Sequence, residues 1–290
     1  NLSRRVKYFL SIILLINEIF KNKNIVVMSF QANIYCILIC KLFSIEIISR
    51  SNSAPIGWSQ NFLKKKIFEV GLKLADKILV NSIEFKKDLK KEFNIDAICI
   101  YNPLNRDEIL DKSKKKSAKI FKSNKKLRIL NVGRFTDQKD QLTLLKSLNN
   151  LKDDIKFEAC IVGKGKLRKK LEKYIETHKL EKHIKIHNYF DNPYPLMKQA
   201  NLFVLSSKFE GLPNVLLESL VLKKFVISSD CRTGPKEILL NGKGGLLFKV
   251  GDYRMLEKRI KYFFLNRKKC QKMMMNSYKS LKRFSYNKNL

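Results

Sequence analysis

Phe209-Glu210-Gly211-Leu212-Pro213-Asn214-Val215-Leu216-Leu217-Glu218 follows the apolar run Leu202-Phe203-Val204-Leu205, and its reading decides the rest of the chain. The apolar run is a buried strand by length and content. Pro213 suits the first turn of a helix, where its missing N–H is not needed and its φ is preset. Glu210 then falls in the loop before the helix and Glu218 inside it. The backbone N–H groups of Gly211, Leu212, Pro213's neighbour Asn214 and Val215 face whatever anion sits at the helix start. The plain alternative is a pair of carboxylates that complement the helix dipole or meet a lysine. Glu218, however, sits in the apolar run Val215 to Leu222, where an unpaired carboxylate is costly and needs a strong partner. A ligand hydroxyl would supply one.

Outward from this segment the same strand-and-helix rhythm continues. Apolar strands are expected at Leu127 to Val132, Phe157 to Val162, Ile184 to His187, Leu202 to Leu205, Phe225 to Ser228 and Gly245 to Phe248, with helical stretches between most of them. That order predicts a parallel sheet covered on both faces, with ligands beyond the carboxyl ends of its strands. A separate α/β rhythm runs from Asn1 to about Asn105, with strands at Ile25 to Met28, Ile45 to Ile48, Ile78 to Val80 and Ala97 to Tyr101. In it, the spacing of Phe62, Ile67, Val70, Gly71 and Leu74 predicts a helix face packed on a sheet. Between them lies a lysine-rich stretch of low apolar periodicity. The expected organisation is a first domain at 1–105, a basic linker or exposed hairpin at 106–126, a second domain at 127–252 and a C-terminal helical segment at 253–290.

Two other strand ends attract attention. Gly133-Arg134 closes the first strand of the second domain, and Lys139 follows in the next loop; a glycine there lets the backbone approach a ligand, and the two cations can neutralise a diphosphate. The next strand ends in Gly163-Lys164-Gly165, a turn suited to phosphate binding but without the full spacing of a dinucleotide fingerprint, so that a tight structural turn stays open beside it.

The chain holds 60 Lys and Arg against 26 Asp and Glu, a formal charge of +34, while 44% apolar residues is ordinary. Such a field favours anionic partners, lipid head groups and phosphorylated substrates among them; the alternative is a lysine-rich surface that is simply solvated. Cys36, Cys40, Cys99, Cys160, Cys231 and Cys270 form no CxxC pair and read as buried thiols of a reducing compartment, with no zinc site. Phe9 to Ile16 is far shorter than the roughly 20 residues that span a bilayer and reads as a buried helix face. His178, His183 and His187 read as structural or surface residues.

The set GRFTDQKD (133–140), IVGKGKLR (161–168), FEGLPNVLLE (209–218) and VISSDCRTGPKEIL (226–239) resembles the donor domain of glycosyltransferase family 4. The likeness runs from about Leu127 to the chain end; ADKILVNSIEFKKDL (75–89) and ICIYNPL (98–104) are compatible with the family's first domain. The resemblance implies an α/β GT-B fold, two Rossmann-like domains facing a cleft, the first lacking an N-terminal piece since the chain opens on Asn1. It implies a retaining, metal-independent transfer of a sugar from a nucleotide diphosphate sugar, a UDP-sugar, to a saccharide or lipid-linked acceptor in cell-envelope polysaccharide or glycolipid synthesis. No cofactor is implied beyond that co-substrate. Arg134 and Lys139 would hold the diphosphate, Glu210 the donor sugar and Glu218 the ribose. Gly211, Leu212, Pro213, Asn214 and Val215 would line the donor, Gly133, Gly163 and Gly165 would shape the nucleotide pocket, and the segment ending KRFSYNKNL would cross back to the first domain.

Arg50 with Asn52, at the end of the first-domain strand in IISRSNSAP (47–55), is the acceptor-side candidate. From Tyr253 onward twelve Lys and Arg meet one Glu, with Tyr262, Phe263, Phe264 and Met273 to Met275 among them. This pattern fits a helix packed on the domains, and secondarily one resting on an anionic membrane surface. The expected location is the cytoplasm, peripheral to the inner face of the plasma membrane. Two other classes compete: an epimerase of nucleotide sugars with the same fold, and a nucleic-acid-binding protein. The second lacks an aromatic RNA-binding signature, a zinc-finger pattern or a basic heptad region, and no nucleic-acid partner is expected.

Overall fold

The computed structural model describes residues 3–52 and 61–288, and its contacts divide the chain into a first unit ending at Tyr101 and a second beginning at Asn102. In the first, α1 (Arg4–Lys21), β1 (Val26–Ser29), α2 (Asn33–Leu42), β2 (Glu46–Ser51), α3 (Phe62–Lys73), β3 (Lys77–Val80), α4 (Ile83–Phe93) and β4 (Ile98–Cys99) alternate along the chain. The strands pair in parallel in the order β1-β2-β3-β4. α4 shows how local chemistry sets an element: the Ser82 hydroxyl accepts from the Phe85 N–H at the start, Glu84 lies in the first turn, and Asn94 in the left-handed region closes the end. Phe85, Leu89 and Phe93 recur every four residues and are all buried.

Two helix faces differ from expectation. Phe9, Leu10, Ile13 and Leu14 of α1 are exposed, while Ile19 is buried and Leu15 partly so. Of the face expected around α3, Phe62, Ile67, Val70 and Leu74 are also exposed; Gly71 is buried as expected, with Leu72 beside it. Gly71 explains which side is covered: a Cβ there would stand 2.7 Å from Ile34 Cδ1, so its bare backbone is what lets α3 lie against α2.

The second unit contains α5 (Arg106–Lys114), β5 (Leu127–Val132), α6 (Gln141–Leu151), β6 (Phe157–Val162), α7 (Arg168–Thr177), β7 (Ile184–His187), α8 (Tyr194–Gln199), β8 (Leu202–Leu205), α9 (Asn214–Val221), β9 (Phe225–Ser229), α10 (Pro235–Ile238), β10 (Leu246–Phe248), α11 (Tyr253–Leu265) and α12 (Arg267–Ser280). Its six strands are parallel in the order β10-β9-β8-β5-β6-β7. The chain leaves β5 toward β6 and β7, then returns to place β8 on the other side of β5. This reversal opens a crevice at the carboxyl ends of β5 and β8, where doubly wound sheets bind ligands. β8 and β9 are buried throughout, as expected of strands covered on both faces.

The expected linker starts as a helix. Asn105 caps α5 by accepting from the Glu108 N–H, Asp107 and Glu108 fill the first turn, and Ile109 is buried as α5 packs on α8 and α9. Ile120 and Phe121 are buried too, with the Ile120 N–H donating to Gln199 and the Lys122 N–H to Glu158. The division therefore falls before Asn102 rather than at 105. The C-terminal residues group with this same second unit: α11 packs on α6 and β10, α12 on α9 and β9, and the Leu104 N–H donates to the Phe284 carbonyl at 2.9 Å. All six cysteines are free, four of them buried and Cys36 and Cys99 partly so. Among the described residues no helix is long and apolar enough to cross a membrane.

Candidate functional site

The reversal in strand order brings two loops together. After β5 the chain runs Gly133-Arg134-Phe135-Thr136-Asp137-Gln138-Lys139-Asp140, and after β8 it runs Ser206 to Pro213. The Lys208 N–H donates to the Gln138 carbonyl at 2.8 Å, Gln138 Nε2 returns a bond to the Phe209 carbonyl at 3.0 Å, and Ser206 Oγ donates to the Lys139 carbonyl at 3.1 Å. Clamped this way, the loops set Lys139 Nζ 2.5 Å from Glu210 Oε1. Their side chains are only 15% and 8% exposed, so the pair is held away from water, where it is screened little.

A third loop supports this pair. Thr233 Oγ1, fully buried, donates to the Glu210 carbonyl at 2.6 Å, and Ser229 Oγ donates to the Ser207 carbonyl at 2.6 Å. Gly234, at φ 89°, lies so close that a Cβ would stand 2.1 Å from the Gly211 carbonyl oxygen. Gly163 and Gly165 have a similar explanation from the other side. A Cβ on Gly163 would meet the Gly133 oxygen at 1.9 Å, and one on Gly165 the Phe135 oxygen at 2.4 Å. They are the floor on which the β5 loop rests, so close packing of two backbones accounts for them. Gly133 differs, since a Cβ there would make only ordinary contact with Lys139 at 3.6 Å.

Pro213 sits at the N-cap of α9, one residue ahead of the helix, and Asn214 begins it. Leu212 is buried beneath the loop; the Asn214 side chain accepts from Asn102 at 2.9 Å. Among the described residues the N–H groups of Gly211, Leu212, Asn214 and Val215 meet no protein acceptor. One helical turn further on, Glu218 is half-buried and has no ion-pair partner among the described residues. Its partner is Tyr194 at the start of α8, whose hydroxyl donates at 3.5 Å. Burial pushes the Glu218 carboxyl up to about 7, against which the tyrosine hydrogen bond works weakly. Burial, then Glu218, pushes the Tyr194 hydroxyl up to about 12.

The Arg134 side chain is exposed and has no protein partner among the described residues, while its carbonyl accepts from Gln141 Nε2 at 3.0 Å. Around it several buried polar atoms have no partner either: Thr136 Oγ1, Gln141 Oε1 and Ser207 Oγ. Native interiors rarely leave such atoms unsatisfied, and their position on the two clamped loops and at the first residue of α6 marks a place that suits a polar ligand. The arrangement thus offers one free cation, one cation shared with a carboxylate, a row of helix-start amides and a carboxyl poised near neutrality.

Arg50 and Asn52 lie in the first unit, at the carboxyl end of β2. Arg50 Nη2 donates to the Ile100 carbonyl at 3.2 Å and Nε to Asn52 Oδ1 at 3.4 Å. Both line a pocket of about 720 Å³ with Asn33, Tyr35 and Phe68 among its walls. Ser53 to Pro55 of the same motif lie outside the described residues. Sequence reasoning assigned no role to Tyr194, Thr233 or Gly234. Thr233 and Gly234 lie inside a quoted motif, and that was their signal; Tyr194 reaches Glu218 from a different helix, which no spacing rule encodes.

The model of the glycosyl transferases group 1 family matches residues 112–280, more than half of the chain. The chain belongs to this family. An uncharacterised glycosyltransferase of Methanocaldococcus jannaschii is 32% identical over 223 residues, covering 70% of this chain and 53% of that protein. The N-acetylgalactosamine-N,N'-diacetylbacillosaminyl-diphospho-undecaprenol 4-alpha-N-acetylgalactosaminyltransferase of Campylobacter jejuni is 31% identical over 190 residues, 64% of this chain and 50% of the other. The group 1 chain thus spans about half the length of these curated relatives. Among solved structures, a glycosyltransferase from Rickettsia africae superposes with a TM-score of 0.76 at 22% identity, over 100% of this chain and 80% of that one. Anabaena HepE in complex with UDP gives 0.76 at 16% identity, over 96% and 79%. These likenesses establish the fold class: α/β, GT-B, with two Rossmann-like units, as expected for a group 1 glycosyltransferase.

Proposed function

We propose that this group 1 chain carries the donor site, and part of the acceptor side, of a retaining glycosyltransferase. It moves a sugar from a UDP-sugar to a saccharide or lipid-linked acceptor in the synthesis of cell-envelope polysaccharide or glycolipid. The observation that carries this is the Lys139–Glu210 pair at the strand-order reversal, flanked by unpaired Arg134 and the uncharged-leaning Glu218. Support also comes from the relatives, one of which is named for a diphospho-undecaprenol substrate and another, from Erwinia amylovora, for amylovoran biosynthesis.

Breaking the bond from the anomeric carbon to the diphosphate builds negative charge on the leaving group and positive charge on the sugar. Arg134 and Lys139 stabilise the first, together with the N–H groups of Gly211, Leu212, Asn214 and Val215, in the place that a metal ion takes in other transferases. Glu210, oriented by Lys139 and Thr233, accepts from donor-sugar hydroxyls. Glu218 accepts from the ribose, which replaces its long bond from Tyr194 with shorter ones. The acceptor hydroxyl attacks on the face that the diphosphate leaves, and a phosphate oxygen takes its proton, so no protein nucleophile is used. Arg50 and Asn52 orient the acceptor. The site of action is the cytoplasmic face of the plasma membrane.

The test is incubation with UDP- and GDP-sugars and a polyprenyl-diphosphate-linked saccharide, with products read by proton NMR. The expected product keeps the anomeric configuration of a UDP-sugar. An inverted linkage overturns retention, and an epimerised nucleotide sugar without transfer favours the epimerase.

A further inference from the structure

The amino ends of β8 and β9, at the opposite end of the sheet from Arg134 and Glu210, carry a second pocket of about 360 Å³. Lys223, Lys224, Arg267, Asn201 and Gln271 line it, over a floor formed by Phe225 and Phe263, whose rings stack 4.9 Å apart. Two more cations act on it. Arg128, the second residue of β5, bonds Asn201 and Asn124, and Lys198 lies in the last turn of α8, its carbonyl accepting from Lys224 Nζ at 2.7 Å.

Among the described residues none of these five cations has a carboxylate partner; Lys223 lies 5.3 Å from the centre of the Tyr278 ring and Arg267 5.6 Å from that of Phe263. Comparable lysines elsewhere have a carboxylate: Lys41 meets Asp76 at 2.6 Å and Lys73 meets Glu69 at 2.7 Å. Helix dipoles answer only part of the charge. The carboxyl ends of α8 and α9 offset Lys198 and Lys223, but α12 opens on Arg267-Lys268-Lys269 with no acidic residue in its first turn. Lys224 is half-buried, and burial, then Arg128 and Lys198, lowers it to about 8. Lys223 also holds a left-handed backbone, φ 53°, at a position where glycine or asparagine is the usual choice.

We propose that this pocket is a second anion site, built to take a phosphate group and separate from the donor site. The cations supply charge-assisted donors in several directions, and Asn201 and Gln271 add neutral ones. The phosphate comes either from a small soluble ester or from the head group of an anionic lipid.

The experiment uses the whole chain with excess UDP, so that the donor site is occupied. Inorganic phosphate is titrated calorimetrically, and flotation is measured with phosphatidylglycerol and with phosphatidylcholine vesicles. Lys224→Met and the exposed Arg267→Gln are compared with the control Lys169→Gln/Lys170→Gln on α7, each checked for an unchanged circular dichroism spectrum. The expected result is binding that falls tenfold or more in either pocket variant and holds in the control. Phosphate binding names a soluble source; flotation with phosphatidylglycerol alone names the head group. No binding in either arm, or binding that the pocket variants keep or the control loses equally, overturns the proposal. Should UDP itself fail to bind, the phosphate and vesicle arms still report on this pocket.

Discussion

Glu218 shows most clearly how one residue's surroundings set its chemistry. Its folded carboxyl lies near 7 against an ordinary 4.5, because burial penalises the charge. The folded state therefore holds a proton that the unfolded chain has released, so stability is greatest below about 4.5 and is lost as pH rises through 7. Glu218→Gln is predicted to be more stable than the native chain by about 2 kcal/mol at pH 8 and nearly equal to it at pH 5, measured by urea unfolding. Ribose hydroxyls prefer the ionised carboxylate, so UDP binding near pH 7 expels a proton, and the release attributable to Glu218 disappears in the glutamine variant. Arg134 is the opposite case. It is exposed and unpaired, so Arg134→Ala should leave stability within about 0.5 kcal/mol while lowering kcat/KM roughly 10²- to 10³-fold, the scale of one lost transition-state contact. Lys139→Ala strands a buried Glu210 and should cost about 3 kcal/mol in stability, part of which Lys139→Ala/Glu210→Ala restores.

At the scale of elements, the glycines separate backbone packing from ligand clearance. Gly163→Ala drives a methyl into the Gly133 carbonyl, so it is predicted to displace the β5 loop, lower the melting temperature and weaken UDP binding together; Gly133→Ala meets only ordinary contacts and should spare stability. Thermal unfolding with and without UDP distinguishes the two. The strands of the second unit were readable because each is a short apolar run ended by polar or glycine residues: β5, β6, β7 and β8 have the bounds expected for them. The residues proposed for the donor site stood out for the same reason, since strand ends are where a doubly wound sheet exposes its loops. Helix faces were harder. α1 and α3 carry apolar residues on more than one side, and periodicity then gives a helix without saying which stripe is covered; the approach of α3 to α2 at Gly71 decided it. α5 was missed because a capped helix with little more than Ile109 to bury has almost no apolar period, and its stability comes from α8 and α9.

For the whole molecule, two units with separate sheets make a prediction about where a ligand is felt. All residues proposed for the donor site fall in the second unit, so UDP should slow hydrogen exchange at 133–141, 161–168 and 206–218 and leave 26–52 unchanged; protection of β1 and β2 alone would place the nucleotide in the pocket beside Arg50. The formal charge of +34 favours any nucleotide diphosphate and cannot by itself discriminate among them, so specificity must come from the loops. The most direct measurement is calorimetric titration of the chain with UDP and GDP beside Arg134→Ala and Glu218→Ala. A donor site at the reversal of β5 and β8 predicts UDP bound in preference to GDP, with affinity lowered by both substitutions. A folded chain that binds neither nucleotide, or binds UDP equally well in both variants, contradicts it.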